Sequence, residues 1–508
     1  MNKSAEYLEA RAETLGAHLH KEPSSGVSIT GYAALTPLGD TQETFEGMLN
    51  GQSGVVEFDA NNFAVNVAAP VKHFDPLEHF DRRALRGVSY VTAMADVLTQ
   101  RAALDAGLIQ STNEMLGDEL PSGQKQDRHK IGSSIGSGIG PTPNILRIYQ
   151  QLYKDVEGLE SKLRQTINPE ERSELEGEIK AKIRKNSERV GPLWGLEMFP
   201  EEVNSDPSMK LGYSGPGISD TAACATGLSN AVESVRKIKE GESEKDFGGG
   251  VEAILTDPNN IHIGDIGIAS FAALRLVLST EYFNILKKTI TSPEESSRPY
   301  DRNRDGFVLG EGGAVVLFER SDLAAARGAN VHAEVVGYSK SLDGKGQTDL
   351  DVDNVARTIL EACENRWTYE IEVPDVIFAH ATATKSGDRA EAKALYKAFG
   401  KLLQDIPITA NKSNIGHLAG GAGSVNLAMA IEALRQQQIP HILNLVNPRL
   451  NLENPEEEDD EEINHVVFVR NEPLKGNFQK ALILGYGFGG NNAAMLIRRP
   501  KLHNLLVY

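Results

Sequence analysis

Three residues in this sequence stand where packing alone is a poor account of them: Cys224, His380 and His417. A cysteine acts as a nucleophile when its thiolate is stabilised, and a helix amino terminus does this through its dipole and free amides. Cys224 lies in Ser219-Asp-Thr-Ala-Ala-Cys224-Ala-Thr-Gly-Leu-Ser, where small residues crowd a strand-to-helix turn and a helical run to Glu240 follows at once. Small side chains let backbone N–H groups approach a substrate oxygen. Taken alone, Cys224 also reads as a buried structural cysteine, the usual fate of a free one. Cys363, inside the helical run at Glu361-Ala-Cys363-Glu, is that case.

His380 follows the apolar run Val376-Ile-Phe-Ala and opens His380-Ala-Thr-Ala-Thr384, so it sits at the exit of a strand with two hydroxyls beside it. His417 lies in Asn411-Lys-Ser-Asn-Ile-Gly-His417-Leu-Ala-Gly-Gly-Ala-Gly, a second small-residue turn leading into a helix. A lone histidine in either place is more often structural. Two of them beside glycine-rich turns, with Lys412 close by, point to chemistry. A fourth element, Gly485-Tyr-Gly-Phe488-Gly-Gly-Asn-Asn, is a glycine-rich turn after a buried strand. It lacks the G-x-x-x-x-G-K-[ST] and helix-opening G-x-G-x-x-G patterns of nucleotide sites. A loop bringing a backbone amide to an oxyanion fits it better.

The elements that must position these residues begin at Val27, after an amino-terminal extension over 1–26 that reads as helical and ends at Pro23-Ser24-Ser25-Gly26. From there β-branched runs alternate with helical segments at Tyr90 to Ala106, Gly227 to Glu240, Val355 to Glu364 and Val425 to Gln437, which is an α/β pattern. Three strand candidates, Ile29 to Tyr32, Val335 to Tyr338 and Leu482 to Tyr486, end on Gly-Tyr or contain it near their end, a repeat too slight to establish a duplication. Residues 151–189 differ: Val156, Leu159, Leu163 and Ile167, then Leu175, Ile179 and Ile183, recur at helical spacing in a highly charged stretch. Asn168-Pro-Glu-Glu supplies a cap, a first-turn proline and acids, so two amphipathic helices in a hairpin are expected. The expectation is a surface insertion packing one apolar stripe on the body, with a partner-binding arm as the alternative. The acidic run Glu456 to Glu462 reads as a solvated loop.

The composition, 40% hydrophobic and 24% charged over 508 residues, is that of a globular protein with an extensive interior. A formal charge of −19 argues against binding nucleic acid or an anionic membrane. Two cysteines make no disulfide framework and point to a reducing, cytoplasmic setting. No stretch reaches the roughly 18 apolar residues that cross a bilayer, and the amino terminus has no apolar core of a signal peptide.

In this order, the four elements resemble those of the β-ketoacyl-acyl-carrier-protein synthases of the thiolase superfamily, nearest to the discrete elongating type II enzymes. The likeness runs from Val27 to Arg499, interrupted at 151–189. The family's T-A-C-A/S-T/S-G, H-G-T-x-T and K-S-x-x-G-H-x-x-G-A-A-G fall on Cys224, His380 and His417; Arg298-Pro-Tyr-Asp-Arg-Asn-Arg-Asp-Gly-Phe-Val-Leu-Gly-Glu-Gly and Gly-Phe488-Gly-Gly match two further landmarks. The resemblance implies two similar βαβαβαββ halves forming a five-layered α-β-α-β-α core, here divided as 27–285 and 286–500 with a tail at 501–508. It implies that Cys224 takes the acyl chain, that the amides of Cys224 and Phe488 form the oxyanion hole, and that His380 and His417 stabilise the enolate left when malonyl thioester loses carbon dioxide. Lys412 and Glu391 match the supporting lysine and glutamate. Thr382 and Thr384 fall where family hydroxyls meet the pantetheine arm. Ile139, Phe271, Phe307 and Phe488 fall at the acyl pocket and its gate, and Arg82, Arg83, Arg86 and Arg275 where basic side chains meet an acidic acyl carrier protein. No cofactor and no metal are implied, and a homodimer is.

The chain departs from the family in Ala381 for the glycine of H-G-T-x-T, in Asn491-Asn492 for T-N, and in a shorter loop after Tyr338. Lys412-Ser-Asn-Ile-Gly-His is closer to the wording of large polyketide and animal-type synthases, which leaves a specialised lipid or polyketide pathway open beside fatty-acid synthesis. Two other readings compete. A non-condensing chain-length partner subunit would lack the nucleophile, and a Cys-His hydrolase would have no use for a second histidine and Lys412.

Overall fold

The long β-branched runs of the chain pair into two mixed sheets that join edge to edge. The computed structural model describes residues 26–58, 66–85, 87–190, 195–196, 198–255, 278, 292–346, 348–364, 370–448 and 466–500. In the first half, β1 (Val27–Thr36), β2 (Ile131–Gly136), β3 (Gly217–Ile218), β4 (Lys245–Glu252) and β5 (Gly312–Arg320) lie in the order β3-β2-β4-β5-β1. β2 runs parallel to β3 and β4, and β5 is antiparallel to both its neighbours.

In the second half, β6 (Ala333–Leu342), β7 (Val376–Phe378), β8 (Pro407–Thr409), β9 (Lys480–Gly487) and β10 (Asn491–Arg498) repeat that order as β8-β7-β9-β10-β6, with the same parallel and antiparallel pairs. The short strand Val467–Phe468 extends the β8 edge. The halves join where β1 meets β6 over three antiparallel pairs, Val27↔Val335, Ser28↔Glu334 and Ile29↔Ala333. The duplication that the Gly-Tyr endings only hinted at is therefore present in the strand order. The fifth strand of the first sheet ends at Arg320, and the expected division at 285/286 lies outside the described residues.

Helices make the remaining layers. α1 (Tyr90–Asp105) and α5 (Glu202–Leu211) cover the outer face of the first sheet, around Met94, Leu98, Leu211 and Phe247. α7 (Val352–Cys363) and α8 (Lys385–Phe399) cover that of the second, around Ile359, Leu395, Leu482 and Leu496. Between the sheets, α6 (Thr226–Glu240) and α9 (Ala422–Gln436) pack on each other, and α9 is buried from Ala422 to Leu434. A helix apolar all round can sit only in an interior layer. Each buried Leu, Ile or Val contributes about 1.5–3 kcal/mol. The expected five-layered α/β core is thus observed, and the four helical runs read from the sequence are α1, α6, α7 and α9. Cys363 is fully buried in α7, as expected of a structural cysteine.

After α2 (Thr142–Leu152), α3 (Glu157–Gln165) and α4 (Pro169–Ser187) form the expected hairpin. Asn168 caps α4, its side chain accepting from the amides of Glu170 and Glu171, with Pro169 at the first helical position. The stripe is used differently from the expectation. α4 packs on α3 and on α2, Leu159, Leu163, Leu175, Ile179 and Ile183 are only half-buried, and Ile167 at the turn is 93% exposed. Helices this charged bury what apolar surface they have against each other. Asn186 donates from Nδ2 to the carbonyls of Leu152 (3.0 Å) and Lys154 (2.9 Å), so the hairpin leaves and rejoins the body at one point. Replacing 157–185 by a short glycine-serine linker is expected to leave the melting temperature within a few degrees of the parent, measured by calorimetry. A loss of cooperative unfolding would show that the hairpin is part of the core.

The amino-terminal extension up to residue 25, the tail at 501–508, and Glu456 to Glu462 lie outside the described residues. Among the described residues no helix is long and apolar enough to cross a membrane.

Candidate active site

Cys224 sits between β3 and α6, in a single 3₁₀ turn, Ala223–Ala225, that runs straight into the helix. Thr226 holds the turn: its hydroxyl donates to the carbonyl of Ala223 (2.7 Å) and accepts from the amide of Ala222 (2.9 Å). The carboxy-terminal loop closes on it. A Cβ added to Gly487 would lie 2.3 Å from the carbonyl oxygen of Ala222 and 3.1 Å from the amide nitrogen of Cys224, a space only glycine fits. That contact brings the Gly487-Phe488 backbone against the amide of the nucleophile, the approach an oxyanion hole needs.

His380 follows β7. Its amide and that of Ala381 donate to the Glu391 carboxylate on α8 (2.8 and 2.9 Å), which also accepts from the Tyr300 hydroxyl (2.8 Å). The Lys412 ammonium donates to the carbonyl of His380. His417 is held by its backbone, its amide donating to Val308 (2.7 Å) and its carbonyl accepting from Gly310 (2.9 Å). These two contacts explain the Arg298–Gly312 motif, which forms a rail beside His417. Arg304, buried in the same segment, donates to the carbonyls of Thr384 and Lys385 (3.1 and 2.9 Å) and lies 3.6 Å from Asp388.

Cys224, His380, His417, Glu391, Thr382, Thr384, Phe307 and Phe488 line one chamber. The two imidazoles stand perpendicular, 5.5 Å between ring centres, and Phe307 meets His417 edge to face at 5.0 Å. Nδ1 of both rings is buried without a hydrogen-bond partner among the described residues. Backbone strain gathers here: Ala223, Ala381, Ala383 and Ala419 all have positive φ, between 32° and 64°. Such conformations cost on the order of 1 kcal/mol each and persist only where the surroundings enforce them. At Ala381, φ +32° explains why a glycine is the usual family residue there.

Burial sets the protonation states. It holds His380 and His417 well below the ordinary histidine value, with the Lys412 charge pushing the same way, so both rings are neutral. It lowers Lys412 to about 8 against the opposing pull of Glu391, and raises Glu391 to about 7. It also pushes the Cys224 thiol up to about 12, more than Lys412 offsets. Burial thus works against the thiolate that the helix start and Lys412 favour.

Ile139 is not in the chamber lining. It packs behind it with Phe307 and Phe488 in an apolar cluster that includes Ala68, Ile254 and Leu255. Arg82 and Arg83 are exposed on a turn outside the chamber, while Arg86, Phe271 and Arg275 lie outside the described residues. Thr348, Asp349 and Leu350, none of them among the expected site residues, line the chamber from the shortened loop after β6. Asp343 ties that loop down, donating its amide to the Gly490 carbonyl (2.8 Å) and accepting from Asn492 (2.7 Å) and Asn354 (2.6 Å).

Comparison with known proteins agrees with this geometry. Residues 24–324 match the family Beta-ketoacyl synthase, N-terminal domain, and residues 332–446 match Beta-ketoacyl synthase, C-terminal domain. The chain is 30% identical over 480 residues to the 3-oxoacyl-[acyl-carrier-protein] synthase 2 of Coxiella burnetii, covering 93% of this chain and 98% of that one. Among solved structures, a β-ketoacyl synthase from Burkholderia phymatum superimposes with a TM-score of 0.73 at 24% identity, covering 94% of this chain and 100% of that one. A type II PKS acyl-carrier protein in complex with its ketosynthase bound to the hexaketide gives a TM-score of 0.71 at 20% identity, with coverage of 94% and 100%. With a cysteine at a helix start, two neutral histidines facing it and both family domains matched along the body, the chain belongs to the β-ketoacyl synthase family.

Proposed function

We propose that this acyltransferase condenses an acyl group carried on Cys224 with a malonyl group delivered by acyl carrier protein. The observation that supports this best is the convergence of one thiol and two neutral imidazoles in a single buried chamber. In the first step the Cys224 sulfur attacks the acyl thioester, the bond from acyl carbon to carrier sulfur breaks, and the Cys224 proton ends on the departing carrier thiol. The amides of Cys224 and Phe488 steady the tetrahedral oxyanion.

In the second step the carbon–carbon bond to the malonyl carboxylate breaks, carbon dioxide leaves, and the electron pair becomes an enolate on the thioester oxygen. Nε2–H groups of His380 and His417 stabilise it by hydrogen bonds alone. The enolate carbon then attacks the acyl carbon, the bond to Cys224 breaks, and the cysteine thiolate takes up one proton. Lys412 and Glu391 act through His380, fixing its backbone from either side. Thr382 and Thr384, with hydroxyls 3.1 Å apart, hold the pantetheine arm.

The carrier, an acidic protein, docks by this reading on Arg82, Arg83, Arg86 and Arg275. A second copy of the chain would continue the sheet at β3, whose two residues are exposed at its edge. The Cys224–histidine set speaks against the non-condensing partner subunit, and two histidines with Lys412 speak against the hydrolase.

The test is to incubate the protein with acyl-carrier thioesters of graded length and with malonyl-carrier protein. The expected result is a mass adduct on Cys224 and a 3-oxoacyl product. No adduct and no carbon dioxide at any length would refute the reading.

A further inference from the structure

Glu252, the last residue of β4, is fully buried and has no part in the steps above. Its carboxylate gathers four donors from two distant segments. Oε1 accepts from the Ser137 hydroxyl (2.7 Å), and Oε2 from the amides of Gly138 (3.0 Å), Ile139 (3.2 Å) and Gly420 (3.1 Å). Ser137 passes the restraint on, its oxygen accepting from the amide of Gly140 (2.9 Å). The four donors belong to two loops: 137–140 carries Ile139, which packs with the chamber residues Phe307 and Phe488, and Gly420 lies in the turn that follows His417.

The same point is packed as tightly as backbone allows. A Cβ on Gly138 would lie 2.8 Å from the carbonyl of Ala223, the residue before the nucleophile, and a Cβ on Gly420 would lie 2.4 Å from the amide of Gly138. The Ile139 loop, the Cys224 turn and the turn after His417 therefore touch one another at the Glu252 carboxylate. A carboxylate in the interior is retained at a cost in desolvation, and here hydrogen bonds to backbone amides offset it. Apolar side chains of the same volume would fill the space without fixing where Ile139 stands.

We propose that Glu252 is a positioning residue for acyl-chain selection: it fixes the Ile139 backbone relative to Cys224, and so sets the length of chain that the apolar cluster of Ile139, Phe307 and Phe488 accepts. The inference rests on the ketosynthase reading of the same site. An apolar pocket with fixed walls discriminates by about tenfold or more per methylene group, and a wall free to shift loses that discrimination. The carboxylate touches no reacting atom, so its removal leaves malonyl decarboxylation, which depends on the histidines, near the parent rate.

The experiment compares the parent enzyme, Glu252→Gln and Ser137→Ala. The rate of adduct formation on Cys224 is followed by mass spectrometry across acyl-carrier thioesters of graded length, and carbon dioxide release from malonyl-carrier protein is measured in parallel. The parent is expected to show a preferred length. Glu252→Gln is expected to flatten that preference by about fivefold or more while carbon dioxide release stays within about twofold. Ser137→Ala, which removes one of the four donors and adds no bulk, is expected to move the profile the same way by a smaller factor, and it serves if Glu252→Gln fails to fold.

A uniform loss at every length, or an unchanged profile in the folded variants, would overturn the proposal while leaving the ketosynthase reading in place. Absence of any adduct in the parent would remove that reading and the proposal with it.

Discussion

Replacing His417 by alanine is expected to leave acyl transfer to Cys224 near the parent rate and to slow condensation by about 10²- to 10³-fold, the usual effect of deleting one donor to a developing oxyanion. The two steps separate because they use different groups. By the proposed mechanism acyl transfer draws on the amides around Cys224, whereas carbon dioxide loss needs the two imidazoles, which stand perpendicular with 5.5 Å between ring centres. The loop survives the change, since His417 is held through its main chain by Val308 and Gly310. Time-resolved mass spectrometry of the adduct beside a carbon dioxide assay checks this. Equal loss of both steps would refute the division of labour. Both rings are already neutral, so lowering the pH toward the ordinary histidine value leaves the histidine-dependent step unaffected by their titration.

Replacing Cys224 by alanine is expected to abolish the acyl adduct at every chain length, and product formation with it. Only Cys363 could substitute as a thiol, and it is buried among Val355, Ile359 and Ala394 in the outer apolar layer. An intact-mass measurement after incubation with acyl thioester is unambiguous for that reason. An adduct that persists in the variant would place the nucleophile elsewhere. The substitution removes one buried sulfur and costs about 1 kcal/mol of stability, so the variant folds.

Much of this site was legible in the sequence because its residues are embedded in local constraints. The small residues around Cys224 and His417 announce turns with unusual backbone, and those turns carry the strained Ala223 and Ala419. The cap at Asn168 and the periodic leucines of the hairpin are likewise local. Contacts between distant segments were not legible. Glu252 meets Gly420 across 168 positions of chain and Asp343 meets Asn492 across 149, and no pattern near either residue announces its partner. The sequence around Cys224 shows a helix start and cannot show the depth of burial that opposes it. The surface onto which the hairpin folds was also hidden, since amphipathic spacing gives the direction of a stripe without naming what covers it.

The repeated strand order has an electrostatic consequence. Each half sends its third strand into a turn that opens a central helix, α6 after Cys224 and α9 after His417, and the two turns lie in contact. Two helix amino termini, each equivalent to roughly half a positive charge, are thereby set side by side. A protein of net charge −19 so keeps a pocket of fixed positive potential, made of peptide groups that do not titrate. Burial brings Lys412 down to about 8, so its charge weakens as the pH rises, whereas that potential does not. One half alone would supply a single pole, open to solvent.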